Sequence, residues 1–307
     1  MKIILANPRG FCAGVDTAIR IVEAAIAKYG TPIYVRNEIV HNKSVVNSLK
    51  KQGAVFVKDV SEIPDFSVII FSAHGAGTDA YEEAERKKLT ILDASCPLVK
   101  KVHNNIIKYS TEGAKIVLIG HSGHPEVEGH LGQIKEKIYL VNCPEDIDNL
   151  PFSKDEKIAY ITQTTLSRME SKNIILKLKK KFPNILGPRE GDLCYATTNR
   201  QKVVENFAGK IDLLLVVGSA NSSNSNRLKE LGESLNIRSY LIDEPKNIDI
   251  SWFAGVENIG ITSGASAPEY LVQELINEIS NIFSVEKVEE TETIEEKVRF
   301  SMPKDLQ

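Results

Sequence analysis

The sequence predicts an α/β fold made of three similar lobes, each with a mostly parallel sheet covered by helices. Short apolar runs of strand length alternate with amphipathic stretches of helix length along most of the 307 residues, and this alternation is typical of parallel sheets. Three of the four cysteines recur at intervals of about one small domain, and each stands just ahead of a helix pattern. Length alone, at roughly 100 to 200 residues per domain, would suggest two domains. The cysteine spacing favours three.

The predicted elements follow one another in a regular order. Strands are predicted where apolar residues run together over a strand's length: Lys2–Ala6, Pro32–Arg36, Val68–Ser72, Lys115–Ile119, Ile158–Thr162, Leu213–Val217 and Ile259–Thr262. Helices are predicted where the pattern is amphipathic: Val15–Tyr29, Lys43–Gln52, Asp79–Leu89, Leu98–Thr111, Ser167–Phe182, Thr197–Gly209, Ser223–Leu235 and Glu269–Phe283. Residues 285–297 are strongly acidic with no core of their own, and residues 298–300 have the pattern of a short strand.

Each repeated cysteine opens a new round of this alternation. We therefore expect lobes at residues 1–95, 96–193 and 194–284, followed by a tail at 285–307 that packs on the body. Polar positions recur in each lobe, one set 28 or 29 residues after the cysteine and another 62 to 72 residues after it. The cysteines are Cys12, Cys96 and Cys194, the first polar set is His41, His124 and Ser222, and the second is His74, Thr164 and Ser266.

Most of these polar segments directly follow an apolar strand. Val68–Phe71 precedes Ser72–Gly75, and Ile116–Ile119 precedes Gly120–Glu126. Ligands of open α/β sheets bind beyond the carboxyl ends of the strands. Three lobes that face inward would therefore place all nine positions around one cavity.

The three repeated cysteines are candidate metal ligands. Three thiolates that converge on one point would suit a soft metal, either zinc or an iron-sulfur cluster in which one iron lacks a protein thiolate. The spacing alone does not choose between them. A helix start beside each cysteine would stabilise the thiolate through the positive end of the helix dipole. Cys143 lies outside the repeat and is expected to be a small buried residue.

Hydroxyls and amides at a helix start form a candidate anion site. Ser222, Ser223 and Asn224 open a helix pattern, where backbone N–H groups would bind a phosphate. Ser266 repeats this theme before the last helix. Three imidazoles can join these groups from the first two lobes: His41, His74 and His124. The remaining histidines are expected to be ordinary surface or core residues: His103, His121 and His130.

Glu126 is a candidate acid or base. It lies two residues past His124 in a loop bounded by Gly and Pro, and a carboxyl beside a metal and a phosphate is suited to moving protons. The Thr164 hydroxyl could relay that proton.

The composition excludes several classes of partner. With 42% apolar residues, 26% charged residues and a formal net charge of -3, the chain has the profile of a globular protein with no nucleic-acid partner. No apolar run approaches the roughly 18 residues that a membrane span requires. The first strand pattern is too short for a signal peptide, and few cysteines in a large chain suit a reducing compartment. A cytoplasmic location is expected.

Five motifs stand in order along the chain: Ala6–Val15, Ile39–Asn42, Ser72–Gly75, Gly120–Glu126 and Cys194–Gln201. They resemble the motifs of the LytB, or IspH, family of 4-hydroxy-3-methylbut-2-enyl diphosphate reductases, and the likeness runs from Lys2 to about Phe283. The resemblance implies an oxidoreductase of the last step of the non-mevalonate (MEP) isoprenoid pathway. Such an enzyme removes an allylic hydroxyl by two-electron reduction and gives isopentenyl and dimethylallyl diphosphates. The implied fold is a three-lobed α/β trefoil around a central iron-sulfur cluster.

The resemblance also implies roles for individual residues. Cys12, Cys96 and Cys194 resemble the ligands of one 4Fe-4S cluster whose fourth iron is open to the substrate hydroxyl. The allylic diphosphate would be held by His41, His74, His124, Ser222, Ser223, Asn224 and Ser266. Glu126 would be the proton donor, with Thr164 linking it to the substrate hydroxyl. A ferredoxin or flavodoxin-type protein would deliver the electrons. The chain departs from the family at Ala76–Gly77, where Val and then Ser or Pro are usual.

Two rival functions use the same residues. A zinc hydrolase of phosphorylated substrates could bind its metal through the three repeated cysteines and use Glu126 as base. A redox sensor could hold the cluster without catalysing a reaction.

Overall fold

Strands and helices alternate along the chain in the computed structural model, which describes residues 1–188 and 191–306. The strands are β1 (Lys2–Leu5), β2 (Ile33–Arg36), β3 (Ala54–Val57), β4 (Val68–Phe71), β5 (Thr90–Asp93), β6 (Lys115–Ile119), β7 (Tyr139–Val141), β8 (Ile158–Thr162), β9 (Leu213–Val217), β10 (Arg238–Ile242), β11 (Asn258–Ser263) and β12 (Lys287–Glu290). The helices are α1 (Ala13–Tyr29), α2 (Lys43–Lys51), α3 (Thr78–Arg86), α4 (Pro97–Thr111), α5 (Pro125–Leu131), α6 (Arg168–Lys181), α7 (Tyr195–Glu205), α8 (Ser223–Ser234) and α9 (Glu269–Ile282). None of the helices in these two ranges is long and apolar enough to cross a membrane.

In the described residues these strands form three sheets, and all neighbouring strands run parallel. The strand orders are β10-β9-β11-β1-β12, β3-β2-β4-β5 and β7-β6-β8. Most consecutive strands are joined by a helix, because parallel neighbours need a crossover connection. The predicted α/β class with parallel sheets is therefore confirmed.

The chain divides into two compact units. Unit 1 contains residues 1–15, 41–45 and 195–299, and unit 2 contains the described residues of 16–40, 46–194 and 300–306. The five-stranded sheet lies in unit 1, and the two smaller sheets lie in unit 2. The boundaries expected for three lobes stay a proposal, and the end of the tail at position 307 lies outside the described residues.

The five-stranded sheet has an apolar layer on each face. Leu215 of β9 belongs to the same apolar cluster as Leu275 of α9, whereas its neighbour Leu214 belongs to the cluster of Phe207 and Leu228. This alternation follows from the two-residue period of a strand. Because helices cover both faces, all five residues of β9 are buried.

The strands that the sequence pattern missed all lie at sheet edges. They are β3, β5, β7, β10 and β12. Polar residues break the apolar run in β5, β10 and β12, whereas β3 and β7 are apolar but only four and three residues long. The strand expected at residues 298–300 is wrong, because that segment has no regular structure. The tail instead contributes β12, whose residues pair with β1 from Lys2 to Leu5.

The loop that leads to Cys12 is held by distant parts of unit 1. The Gly10 N–H donates to Ser263 Oγ at 2.7 Å, and the backbone turns at Gly10 through a positive φ of 73°. The Cys12 N–H donates to the Ala265 carbonyl at 3.2 Å. The next N–H, that of Ala13, donates to the Tyr195 hydroxyl at 3.0 Å. The position of Cys12 thus depends on the end of β11 and on the start of α7.

Arg200 is a buried cation that fastens the same loop. Its side chain is fully buried, and its Nη2 donates to the Gly10 carbonyl at 2.8 Å. Its Nη1 lies 3.1 Å from Glu296 Oε1 in the acidic tail. The tail therefore supplies the counter-charge for an arginine that binds the backbone two residues before Cys12.

We expect the Glu296→Gln change to lower the free energy of unfolding by about 3 kcal/mol, because removing one partner of a buried ion pair leaves an uncompensated charge. Urea denaturation of the purified protein measures this. The matched control is Glu295→Gln, since Glu295 is exposed and pairs only with exposed Lys297 in the described chain. Equal midpoints for the two variants would contradict the importance of the Arg200 pair.

Candidate functional site

The three repeated cysteines all stand at helix starts. Cys96 is the N-cap of α4, which has Pro97 in its first turn, and Cys12 and Cys194 directly precede α1 and α7. None of the four cysteines, all of which the structure describes, forms a disulfide. Each is partly exposed, so the expectation that Cys143 is buried is wrong.

The backbone N–H of each repeated cysteine donates to a loop of the second polar set. The Cys96 N–H bonds the Ala73 carbonyl at 3.0 Å, and the Cys194 N–H bonds the Thr164 carbonyl at 3.1 Å. The Cys12 N–H bonds the Ala265 carbonyl, one residue before Ser266. The matched offsets in the sequence therefore correspond to a repeated contact, in which each cysteine is held by the second polar loop of another round.

The ligand set proposed for the cysteines extends over both units. Cys12 belongs to unit 1, and Cys96 and Cys194 belong to unit 2. Within either unit, the described His, Cys, Asp and Glu side chains form no group of three or more that could hold a metal ion. The three-cysteine set stays a prediction.

Glu126 lies in a helix, not in a loop as the Gly and Pro residues indicated, and it is buried. The short helix α5 begins at Pro125, and its N-cap is His124, whose Nδ1 accepts the Glu126 N–H at 3.1 Å. Glu126 is only 2% exposed. Because His124 Nδ1 is an acceptor, the proton of a neutral His124 ring lies on Nε2, which can donate to an anion.

Glu126 and Thr164 are in direct contact. The Thr164 N–H donates to Glu126 Oε1 at 2.7 Å, and the Thr164 hydroxyl donates to Oε2 at 3.0 Å. Thr164 is 4% exposed. Both oxygens of a buried carboxyl are therefore satisfied by one residue, and the Thr164 oxygen keeps lone pairs that can accept another hydrogen bond.

His74 and His124 also lie together in unit 2. Their ring centroids are 5.8 Å apart in an edge-to-face arrangement, and His74 Nδ1 lies 3.2 Å from Ser72 Oγ. The structure therefore brings two of the predicted diphosphate ligands into one cluster, on the loops that follow β4 and β6.

The predicted anion ligands of unit 1 form a second cluster at the start of α8. Ser222 is the N-cap of this helix, and its Oγ accepts the Ser225 N–H at 3.3 Å. Ser222 Oγ lies 3.4 Å from Ser266 Oγ, and the Ser266 hydroxyl donates to the His41 carbonyl at 2.9 Å. Ser223 is the first residue of the helix. Hydroxyls and helix N–H groups thus come together, as an anion requires.

Asn224 has no polar contact within this cluster. Its side chain is 5% exposed, and neither its Nδ2 nor its Oδ1 has a hydrogen-bond partner in the described chain. A buried amide without partners is costly in a folded protein. The amide is therefore available to a ligand.

His130 was not predicted from the sequence to belong to the site. This residue is fully buried, and its Nε2 lies 3.4 Å from Glu126 Oε1. The signal that could have identified it is the spacing of four residues from Glu126, which places both side chains on one face of a helix. That signal is visible only if residues 125–131 are recognised as helical.

The pKa of Glu126 reflects two opposing causes. Burial raises it, but the contact with His130, the charge of His124 and the Thr164 N–H together bring the pKa below its usual value. The pKa of Asp192 is raised instead of lowered. Burial raises it to about 6, even though the hydrogen bond from the Thr162 N–H to Asp192 Oδ2 acts in the other direction. Glu126 is therefore held as a carboxylate where burial alone would favour the acid.

Comparison with known proteins identifies close relatives over the whole chain. The sequence model of the family described as LytB protein matches residues 3–280. The chain is 51% identical to the 4-hydroxy-3-methylbut-2-enyl diphosphate reductase of Psychrobacter arcticus, over 100% of this chain and 97% of that protein. It is 51% identical to the same reductase of Haemophilus influenzae, over 100% and 98%.

Solved structures agree with the sequence relatives. The E-1-hydroxy-2-methyl-but-2-enyl-4-diphosphate reductase of Plasmodium falciparum superposes with a TM-score of 0.97 at 38% identity, over 99% of this chain and 96% of that chain. A second structure, of the terminal enzyme of the non-mevalonate pathway, has a TM-score of 0.65 at 30% identity, over 92% and 100%.

We expect the Asn224→Leu change to raise the free energy of unfolding of the ligand-free protein by about 1 kcal/mol, because a buried polar group without partners costs about 1 to 3 kcal/mol. The control is Asn226→Leu in the same helix. The Asn226 amide donates to the Ala220 and Ser222 carbonyls at 2.7 and 2.9 Å, so its loss should lower stability. Urea denaturation measures both, and equal destabilisation would mean that Asn224 has partners.

Proposed function

The chain belongs to the LytB family, and we infer that it is an oxidoreductase acting on 4-hydroxy-3-methylbut-2-enyl diphosphate. The family predicted from the five motifs is confirmed. The reaction is the terminal step of the non-mevalonate pathway, a two-electron reduction that removes the allylic hydroxyl as water. Two protons are consumed, one by the departing oxygen and one by carbon, and addition at either end of the allylic unit gives isopentenyl or dimethylallyl diphosphate.

We propose that Cys12, Cys96 and Cys194 ligate one 4Fe-4S cluster whose fourth iron has no protein ligand. The chemistry of the donors fits this group, since thiolates are the ligands that iron-sulfur clusters prefer. Each of the three residues stands at a helix start and is anchored through its own N–H. When bound, the cluster would supply the electrons and a Lewis-acidic iron for the substrate hydroxyl.

The substrate diphosphate is proposed to bind the two clusters of donors described above. Ser222, Ser223, Asn224 and Ser266 offer hydroxyls, an amide and the N-terminus of α8, and His41, His74 and His124 offer imidazoles. The unpartnered Asn224 amide and the Nε2 proton of His124 support this assignment. With a net charge of -3, the chain must recognise a diphosphate through such local donors and not through a long-range field.

Proton transfer is proposed to run from Glu126 through Thr164 to the leaving oxygen. The observation that carries this proposal is the buried pair in which Thr164 donates both its hydroxyl and its N–H to one carboxylate. A hydroxyl that donates to Glu126 can accept a hydrogen bond from the substrate hydroxyl. Reversal of the same chain of hydrogen bonds would deliver a proton to that oxygen as the C–O bond breaks.

Electron delivery and cellular location complete the proposal. We propose a ferredoxin or flavodoxin-type donor, because every turnover consumes two electrons and they must be resupplied from outside the chain. We also propose a cytoplasmic location, where reducing conditions keep ligand cysteines as thiols.

Replacing any one of the three proposed ligands by serine should abolish cluster binding. Protein prepared without oxygen should be brown and contain iron and sulfide in the wild type, whereas Cys12→Ser, Cys96→Ser and Cys194→Ser should be largely colourless. Cys143→Ser is the control and should keep the wild-type iron content. Colourless wild-type protein with stoichiometric zinc would instead support a zinc hydrolase.

The Glu126→Gln change should lower turnover of the allylic diphosphate by about 100-fold to 10,000-fold, the usual contribution of a general acid. Cluster content and diphosphate affinity should stay near wild-type values, because the cysteines and the anion donors are intact. The control is Glu128→Gln, which alters an exposed carboxyl in the same helix. Anaerobic assays with a reduced donor measure both products, and undiminished turnover in Glu126→Gln would refute the proton-donor role.

A further inference from the structure

A buried histidine, His130, contacts the proposed proton donor Glu126. His130 is four residues after Glu126 in α5, so the two side chains leave the same face of the helix. His130 Nε2 lies 3.4 Å from Glu126 Oε1, and the His130 and Glu126 side chains are 0% and 3% exposed. A contact between an imidazole and a carboxylate in such an environment is little screened by water.

Two residues contact the carboxylate of Glu126. Thr164 contacts both oxygens, through its N–H to Oε1 and its hydroxyl to Oε2. His130 contacts Oε1 through its Nε2. Thr164 is the proposed link to the substrate hydroxyl, so His130 is the contact that the proposed function does not yet use.

The ring of His130 has no hydrogen-bond partner in the described chain. Both ring nitrogens, Nδ1 and Nε2, are buried, and Nε2 contacts Glu126 Oε1 at ion-pair distance without hydrogen-bond geometry. The ring of His103, from α4, meets the His130 ring edge-on with a centroid separation of 5.1 Å. Burial and the charge of His130 lower the pKa of His103 to about 4, so His103 stays neutral near pH 7. Asp192 interacts electrostatically with His130 and Lys101, and Asp93 and Lys100 interact with His103.

On these contacts, and on the proposed function of Glu126, we propose that His130 is a positioning residue. It holds the Glu126 carboxylate against Thr164, because its Nε2 contacts Oε1, the oxygen that also accepts the Thr164 N–H. A carboxylate fixed in this way keeps Oε2 within reach of the Thr164 hydroxyl, which is the first step of the proposed proton path.

The infrared signal of the Glu126 carboxyl group tests this proposal without turnover. In the holoenzyme, the signal is assigned as the one missing from Glu126→Gln. The His130→Phe change keeps a ring in the space but removes both nitrogens. Because contact with His130 favours the carboxylate, the variant should protonate Glu126 at a higher pH than the wild type. An unchanged titration of this signal would overturn the proposal, even if the protein does not reduce the allylic diphosphate.

Turnover gives the second arm of the test. His130→Phe should lower kcat by about 10-fold to 100-fold through loss of positioning, with KM for the allylic diphosphate unchanged within about twofold. His130→Gln, which can place an amide N–H near the position of Nε2, should recover part of kcat. The positioning role would be overturned if kcat of His130→Phe equalled that of the wild type, or if the variant changed only KM and not kcat. If His130→Phe does not fold, the infrared titration and kcat of His130→Gln are compared with wild type.

The matched control is His103→Phe, which removes the neighbouring imidazole without touching Glu126. In this control variant, the pH at which Glu126 is protonated should stay near the wild-type value. A shift of that pH as large as the shift in His130→Phe would show that packing of the pocket, not the His130 contact, determines the protonation of Glu126. That result would overturn the proposal.

Discussion

The hydrogen bond from each repeated cysteine's backbone N–H to a polar loop is the constraint on which the rest of the structure depends. It occurs at Cys12, Cys96 and Cys194, and the acceptors are the carbonyls of Ala265, Ala73 and Thr164. A side chain placed next to such an acceptor is fixed relative to a proposed cluster ligand. The loops that carry His74, Thr164 and Ser266 therefore hold the cysteines as well as the proposed substrate and proton contacts. Placement of ligands to within a fraction of an ångström requires this kind of backbone support.

The sequence predicted the interior of the fold better than its edges. The strands at the centre of each sheet, such as β4, β6 and β9, are continuous apolar runs because both faces are covered. The missed strands are all at sheet edges, where the runs are short or contain polar residues. The pairing of β1 with β11 has no local signal at all, since Lys2 and Asn258 are neighbours only through the tertiary fold.

The candidate site shows the same division between local and tertiary signals. The offsets of the cysteines and polar residues were visible because the chain repeats them, and the structure turns those offsets into contacts such as Cys194 with Thr164. His130 was treated as an ordinary histidine because its importance comes from burial beside Glu126. Burial of a short helix such as α5 depends on packing by distant elements, which a local pattern does not contain.

Several polar groups are kept in this fold at a cost to stability. The Asn224 amide is buried without partners, and the Arg200 guanidinium is buried against one carboxylate from the tail. Groups of this kind are usually removed from protein interiors unless function retains them. Asn224 lies in the proposed anion site, and Arg200 fixes the loop of Cys12, so each has a functional reason to remain.

The helix α5 explains how a carboxylate can be buried at the centre of the proposed chemistry. Glu126 lies in its first turn, where the helix dipole favours a negative charge, and His130 lies in its last turn. The seven residues of this helix therefore align a carboxylate, an imidazole and the backbone dipole. Because these interactions outweigh the burial that would favour the acid, the pKa of Glu126 lies below its usual value and the group rests as a carboxylate. A group that rests as a carboxylate must take up a proton before each transfer in which it acts as the proposed acid.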